Sequence, residues 1–175
     1  MNLWHDVPLG EKSPEEINVI IETPKGSSNK YEIDKETGLI KLDRANYSAA
    51  PFPAEYGFAP QTLWDDGDAL DVVVLATFPI PTGILVKVRP VALMEMVDTG
   101  ESDFKILGVP VKDKRWDDVR DLSDLNKHTL KEIQHFFETY KKLKGDEVVV
   151  HGFKDRTTAM EAIQKSVLLY KEKFK

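Results

Sequence analysis

Apolar residues along this chain change their spacing beyond about residue 110. Before that point they come in short β-branched runs or strict alternation, the spacing of strands. Ile17-Asn18-Val19-Ile20-Ile21-Glu22-Thr23 predicts a first strand, and Pro24-Lys25-Gly26-Ser27-Ser28-Asn29 a turn. Lys30-Tyr31-Glu32-Ile33-Asp34 and Gly38-Leu39-Ile40-Lys41-Leu42-Asp43-Arg44 both alternate, which predicts a hairpin with Lys30, Glu32 and Asp34 on one face. Ala50 to Pro60 reads as too rich in proline for a central strand and too aromatic for a loose loop, so it is expected to pack over the sheet. Val72 to Leu75 predicts a short buried strand. Ile84 to Val97 is the longest candidate, with Pro90 predicting a bend or bulge, and Phe104 to Pro110 returns from the turn Asp98 to Asp103.

The remainder is helical in period. Leu130, Ile133, Phe136, Phe137, Tyr140 and Leu143 form one stripe across Asn126 to Lys144. Ile163, Val167, Tyr170 and Phe174 form a second stripe, and Glu147 to His151 reads as a short strand between the two. Thr129 with Glu132, and Thr158 with Glu161, predict capping boxes. Short strands followed by two amphipathic helices predict an α+β fold, a small barrel or curled antiparallel sheet covered by helices. No repeat or linker divides the 175 residues, so one domain over 1–175 is expected.

Composition narrows the function. A formal net charge of -6 argues against nucleic acid as the main partner, because a phosphate-backbone binder presents a basic face. The absence of cysteine fits a reducing compartment. Met1 to Asp6 lacks the basic and apolar segments of a secretory signal, and no apolar run reaches the ~20 residues of a membrane span. A soluble cytoplasmic protein is the expectation.

The stretch that carries chemistry is Asp65-Asp66-Gly67-Asp68-Ala69-Leu70-Asp71, four carboxylates in seven residues at the start of a buried strand. Like charges held that close raise one another's pKa, and a hard divalent cation relieves them. An EF-hand is excluded by spacing, since counting from Asp66 puts Leu70 fifth and Asp71 at the sixth position, where glycine belongs. A haloacid-dehalogenase-like site is excluded because its Asp-x-Asp ends a strand and this one precedes it. Asp98 and Asp103 form a second acidic turn, and Lys30, Arg44 and Lys105 sit at strand positions. A plainer reading stands beside this one: solvated turn acids, with the cations as their ion-pair partners. His128 and His135 read as packing or surface residues, and Trp4, Trp64 and Trp116 as packing, with Trp64 walling any pocket beside the acidic turn.

Asp66-Gly67-Asp68-Ala69-Leu70-Asp71 resembles the Asp-x-Asp-Pro-x-Asp signature of soluble family I inorganic pyrophosphatases of prokaryotic type. The similarity extends through Lys30-Tyr31-Glu32-Ile33-Asp34, Asp43-Arg44, Pro53-x-x-Tyr56-Gly57, Arg89-Pro90-Val91, Asp98 with Asp103 and Lys105, and His135-Phe136-Phe137-Glu138-x-Tyr140-Lys141. The resemblance implies a five-stranded antiparallel OB-like barrel with flanking strands and two C-terminal helices. It implies hydrolysis of pyrophosphate, bound as a metal complex, to two orthophosphates with several Mg²⁺ per site, Mn²⁺ or Co²⁺ being able to substitute. Asp66, Asp71, Asp98 and Asp103 fall on its metal ligands, with Glu32 near a further metal. Asp68 falls on the general base that takes the proton of the metal-activated water. Lys30, Arg44, Lys105, Tyr140 and Lys141 fall on phosphate-binding positions, and Glu22 and Tyr56 on further active-site positions. A homo-oligomer, a hexamer, is implied as well. The chain departs at Ala69, where the signature has proline, and at Phe52 and Glu55, where bacterial relatives have tyrosine and asparagine; a hydroxyl contact near the site is thereby in question.

The residue types suit that chemistry by themselves. Phosphate hydrolysis requires on the order of 20 kcal/mol of barrier lowering. The chain offers no cysteine, Ser-His pair or P-loop, which leaves metal and electrostatic catalysis. Three competing classes exist. One is an OB-like nucleic-acid module stacking bases on Trp64, Phe58 and Tyr56, which the net charge disfavours. Another is a structural Ca²⁺ protein, which leaves Lys30, Arg44, Lys105 and Lys141 unexplained. The third is a phosphatase for organic phosphates, separated from the first reading by substrate size.

Overall fold

The computed structural model describes residues 1–175. Nine strands and two helices follow in order: β1 (Ile17–Thr23), β2 (Asn29–Ile33), β3 (Ile40–Ala45), β4 (Glu55–Phe58), β5 (Asp71–Val74), β6 (Leu85–Asp98), β7 (Glu101–Ser102), β8 (Lys105–Pro110), α1 (Lys127–Thr139), β9 (Val148–Lys154) and α2 (Arg156–Phe174). β1 pairs with β4 and β6, β4 with β5, β5 with β8, and β8 with β6, so these five strands close a ring. β7 and β9 pair with β6, while β2 and β3 form a separate two-stranded sheet.

The sheet corrects two expectations. It is mixed rather than antiparallel, because β5 and β8 run parallel with Asp71 opposite Lys105. Parallel neighbours need a crossover, and the long β6 supplies it between them. The proline-rich segment does contain a central strand, β4, buried throughout between β1 and β5. Pro53 and Pro60 flank Glu55–Phe58 without entering it, so no ladder hydrogen bond is lost. Gly57 lets β1 approach, since a Cβ there would lie 2.0 Å from the Ile20 carbonyl oxygen.

Pro90 has the predicted effect: the register of β6 against β8 shifts between Pro90 and Ala92. Neither predicted capping box forms; each helix is instead capped by a residue one turn earlier. Asn126 caps α1, accepting from the His128 and Thr129 amides, and Asp155 caps α2, accepting from the Thr158 amide. These acceptors lie three residues earlier and reach the free amides of the first turn, which Thr129 and Thr158 already occupy.

The alternation of β5 assigns the helices to opposite sides. Val73 and Leu75 share a buried cluster with Phe136 and Phe137 of α1, whereas Val72 and Val74 share one with Ala159 and Ile163 of α2. That sandwich fixes the N-terminal end of β5, where Asp71 stands, against the start of β8. No helix is long and apolar enough to cross a membrane.

Candidate active site

A cleft of about 780 Å³ opens where β1, β2, β4, the loop before β5, the 98–103 turn and the end of α1 meet. It is lined by 11 of the 13 predicted site residues: Glu22, Lys30, Glu32, Tyr56, Asp66, Asp68, Asp71, Asp98, Asp103, Tyr140 and Lys141. Arg44 and Lys105 are outside the lining.

Lys105 lies beneath the floor, 0% exposed. Its Nζ donates to Asp71 Oδ2 at 2.8 Å, Asp103 Oδ1 at 3.0 Å and Tyr56 Oη at 3.0 Å, and sits 5.2 Å from the Phe137 ring centroid. Burial alone would lower the Lys105 pKa, but Asp103 and Asp71 outweigh it and hold the ammonium well above its ordinary range. Burial raises Asp103 instead, by more than Lys105 can offset, and raises the Tyr56 phenol. The resemblance implies a phosphate-binding position for this lysine; in the fold its ammonium is buried and bonded to Tyr56, Asp71 and Asp103.

Burial and then the charge of Asp71 push Glu22 up to about 8, while its Oε1 accepts the Ile33 amide at 2.7 Å. Burial also pushes Asp66 up to about 6. Gly67, with φ +85°, folds the loop so that Asp66 Oδ1 accepts the Asp68 amide at 3.0 Å. Across the cleft, burial would raise Asp98, yet the bond from Lys141 and another from the Thr99 hydroxyl hold it below the ordinary range. Tyr140 Oη stands 3.4 Å from Asp98 Oδ2. Lys30 Nζ donates to Glu32 at 2.7 Å and Asp43 at 3.2 Å. Arg44, its register partner, lies at the rim, 5.5 Å from the Tyr140 ring and bonded to Asp43 at 2.8 Å.

The carboxylates share a wall without closing on one point: no three acidic or imidazole groups gather into a ready coordination sphere. Lysines stand among them, Lys105 between Asp71 and Asp103, Lys141 on Asp98, and Lys35 on Asp68. The donor set nevertheless fits a hard divalent cation. All the donors are oxygens, and Asp66 and Asp103, raised first by burial and further by neighbouring carboxylates, are groups whose ionised form a cation would favour.

Three features were misplaced or missed in the sequence. Trp64 is buried and does not line the cleft; its indole N–H donates to Ser102 and Lys165 caps its ring, whereas Trp4, far off in the chain, does line the cleft. Lys35 meets Asp68 from the tip of the β2–β3 hairpin, and periodicity carries no signal for a tip residue. Phe52 fills the core beside Phe136, 4.7 Å between centroids, and Glu55 is buried with its Oε2 accepting the Lys25 amide, so neither reaches the cleft lining. His128 and His135 are exposed on α1, as read.

The family described as inorganic pyrophosphatase matches residues 19–171. The inorganic pyrophosphatase of Haloferax volcanii is 46% identical over 178 aligned positions, covering 99% of this chain and 99% of that protein. The soluble inorganic pyrophosphatase of Zea mays is 47% identical over 167 positions, covering 95% and 78%. The crystal structure of inorganic pyrophosphatase from Thermus thermophilus superposes with a TM-score of 0.94 at 45% identity, covering 98% of this chain and 99% of that one.

Proposed function

This chain belongs to the inorganic pyrophosphatase family, and from that premise we infer that it hydrolyses pyrophosphate to two orthophosphates in the cleft described above. The observation that carries the reading is the convergence of two acidic segments, Asp66–Asp71 and Asp98–Asp103, with Lys30, Tyr140 and Lys141 on a single cavity.

We propose roles for the side chains on this basis. Asp66, Asp71, Asp98, Asp103 and Glu32 hold divalent cations, Mg²⁺ by choice with Mn²⁺ or Co²⁺ as substitutes. When bound, the cations neutralise the substrate's charge and acidify the attacking water. Asp68, on the open side of the loop, orients that water and takes its proton. Lys30 and Lys141, with Arg44 at the rim and the Tyr140 hydroxyl, bind the phosphoryl oxygens and stabilise charge on the leaving phosphate. Lys105 contributes from below: it fixes Asp71, Asp103 and Tyr56, and keeps a positive charge under the site. Glu22 acts at one remove, holding β2 through the Ile33 amide.

The ring of five strands is read as an OB-like barrel, and 1–175 as one domain. We propose a cytoplasmic location, in keeping with relatives described as soluble. The apolar side chains left exposed, among them Leu39, Leu42 and Phe78, suit a homo-oligomer, a hexamer by resemblance. The cleft's acidic lining and the net charge of -6 leave nucleic acid without a basic face to bind. Phosphate release from pyrophosphate, ATP and p-nitrophenyl phosphate, each with Mg²⁺ and with EDTA, tests the reading. The expected result is release from pyrophosphate alone, lost in EDTA and restored by Mg²⁺; comparable turnover of p-nitrophenyl phosphate would overturn it.

A further inference from the structure

The β2–β3 hairpin carries Lys30, Glu32 and Arg44, yet it is a sheet of its own. The hairpin is tied to β1 by the Glu22 bond to Ile33 and by two bonds at 3.0 Å between Thr23 and Tyr31. Its far end meets the chain's N-terminus. Gly38, buried and at φ +73°, touches the backbone of Asn2 so closely that a Cβ there would lie 2.8 Å from Asn2 Cα.

Asn2 is the head of a tight turn. Its side-chain oxygen accepts the Trp4 amide at 2.9 Å and the His5 amide at 3.2 Å, and its carbonyl accepts the Asp6 amide at 2.9 Å. That turn is bolted to the body. The Trp4 indole N–H donates to Thr62 O at 2.8 Å, Gln61 bonds the Trp4 and His5 carbonyls, and His5 Nδ1 lies 2.7 Å from the Tyr170 hydroxyl of α2. Trp4 is 3% exposed, and its ring belongs to one buried cluster with Ala69 of the acidic loop, against which Ile33 of β2 also packs. Its remaining surface lines the cleft.

We propose that the Asn2–Asp6 turn is a strap across one end of the cleft, with Trp4 as the positioning residue that sets the phosphate-binding hairpin against the Asp66–Asp71 loop. Through the buried cluster that holds Trp4 and Ala69, and against which Ile33 packs, the ring links the wall that binds phosphate to the wall that holds cations. The inference rests on the pyrophosphatase reading above, and it concerns substrate binding more than the chemical step, because the hairpin carries Lys30 and Arg44 while Asp68 stands on the other wall.

The test compares Trp4→Ala, Trp4→Phe and Gly38→Ala with the parent in steady-state pyrophosphate hydrolysis with Mg²⁺. Trp4→Ala is expected to raise KM about fivefold or more, with kcat changed less than about twofold, and Trp4→Phe to restore most of the affinity. Gly38→Ala, which pushes Asn2 off the hairpin, is expected to raise KM in the same way and gives the reading should Trp4→Ala not fold. A merely structural role lowers the active fraction, and therefore kcat, at unchanged KM. KM within about twofold of the parent in the folded variants would overturn the strap. A parent that does not hydrolyse pyrophosphate would overturn the activity instead. As a readout without turnover, the Trp64→Phe/Trp116→Phe protein leaves Trp4 as its one tryptophan. Its emission is expected to shift when Mg²⁺ and orthophosphate are added, and an unchanged spectrum at saturation counts against the strap.

Discussion

Asp71 and Lys105 face each other across the parallel pairing of β5 and β8, and their side chains meet at 2.8 Å beneath the cleft. The pairing places a buried ammonium directly under the acidic wall, where Asp103 also reaches it at 3.0 Å. The site is therefore built on a charge network that the fold cannot abandon cheaply: removing one partner strands the others in a low dielectric.

Lys105→Met is predicted to destabilise the metal-free protein by about 3–5 kcal/mol, since Asp71 and Asp103 lose their shared partner. Thermal melting reads this as a fall on the order of 10 °C. Added Mg²⁺ is expected to recover more stability in the variant than in the parent, because the stranded carboxylates then find a cation. Equal melting temperatures with and without the lysine would show that the network contributes little.

At the opposite wall, Lys141 holds Asp98 and lines the cleft beside Tyr140. Lys141→Ala is predicted to raise KM for pyrophosphate about tenfold or more, the loss expected for a hydrogen bond to a charged group, and to slow turnover as well. Unchanged kinetics would place this side chain outside the substrate's reach.

The strands were legible where apolar period and β-branching agree, in β1, β6 and β8. The helices were legible from the stripes ending at Leu143 and Phe174, although α1 stops at Thr139 and leaves Leu143 exposed in a separate short turn. What stayed hidden is tertiary. β4 escaped because proline on both sides of Glu55–Phe58 masks four residues that contain none, and Gly57 looks like a turn residue until β1 is laid against it. The direction of β5 against β8 depends on the path of the intervening chain and leaves no local pattern. The aspartates of the site stood out because like charges at close spacing are a sequence feature; Lys35 and Trp4 reach the same cleft only through folding.

Glu22 makes stability pH-dependent. Its carboxyl titrates at about 8 in the folded protein against an ordinary value of 4.5. Below the lower value both folded and unfolded states hold the proton, and the contribution to stability is complete. Between the two values the unfolded chain releases the proton and the folded chain keeps it, so stability falls as pH rises and levels off above about 8. Asp66, raised to about 6, adds to the same trend. The metal-free protein is predicted to melt at progressively lower temperature from pH 5 to pH 8, and Glu22→Gln to flatten that slope. The Gln carbonyl can still accept the Ile33 amide, so the fold is retained. An identical slope in the two proteins would assign the dependence to other groups.

Asp68 differs from its acidic neighbours in what binds it. Asp71 and Asp103 are committed to Lys105, and Asp98 to Lys141, whereas Asp68 is half exposed and pairs only with Lys35, whose side chain is itself 57% exposed. An exposed pair of this kind is worth at most about 1 kcal/mol, so substrate and water can displace the lysine easily. That freedom suits a group that must turn toward water and take its proton. Asp68→Asn is therefore predicted to leave the melting temperature and Mg²⁺ affinity near those of the parent while kcat falls about 10²- to 10⁴-fold, the span attributed to a positioned general base. Calorimetric titration of Mg²⁺ and the rate of phosphate release separate the two effects. Loss of metal affinity in step with loss of rate would make Asp68 a ligand, and undiminished turnover would remove it from proton transfer.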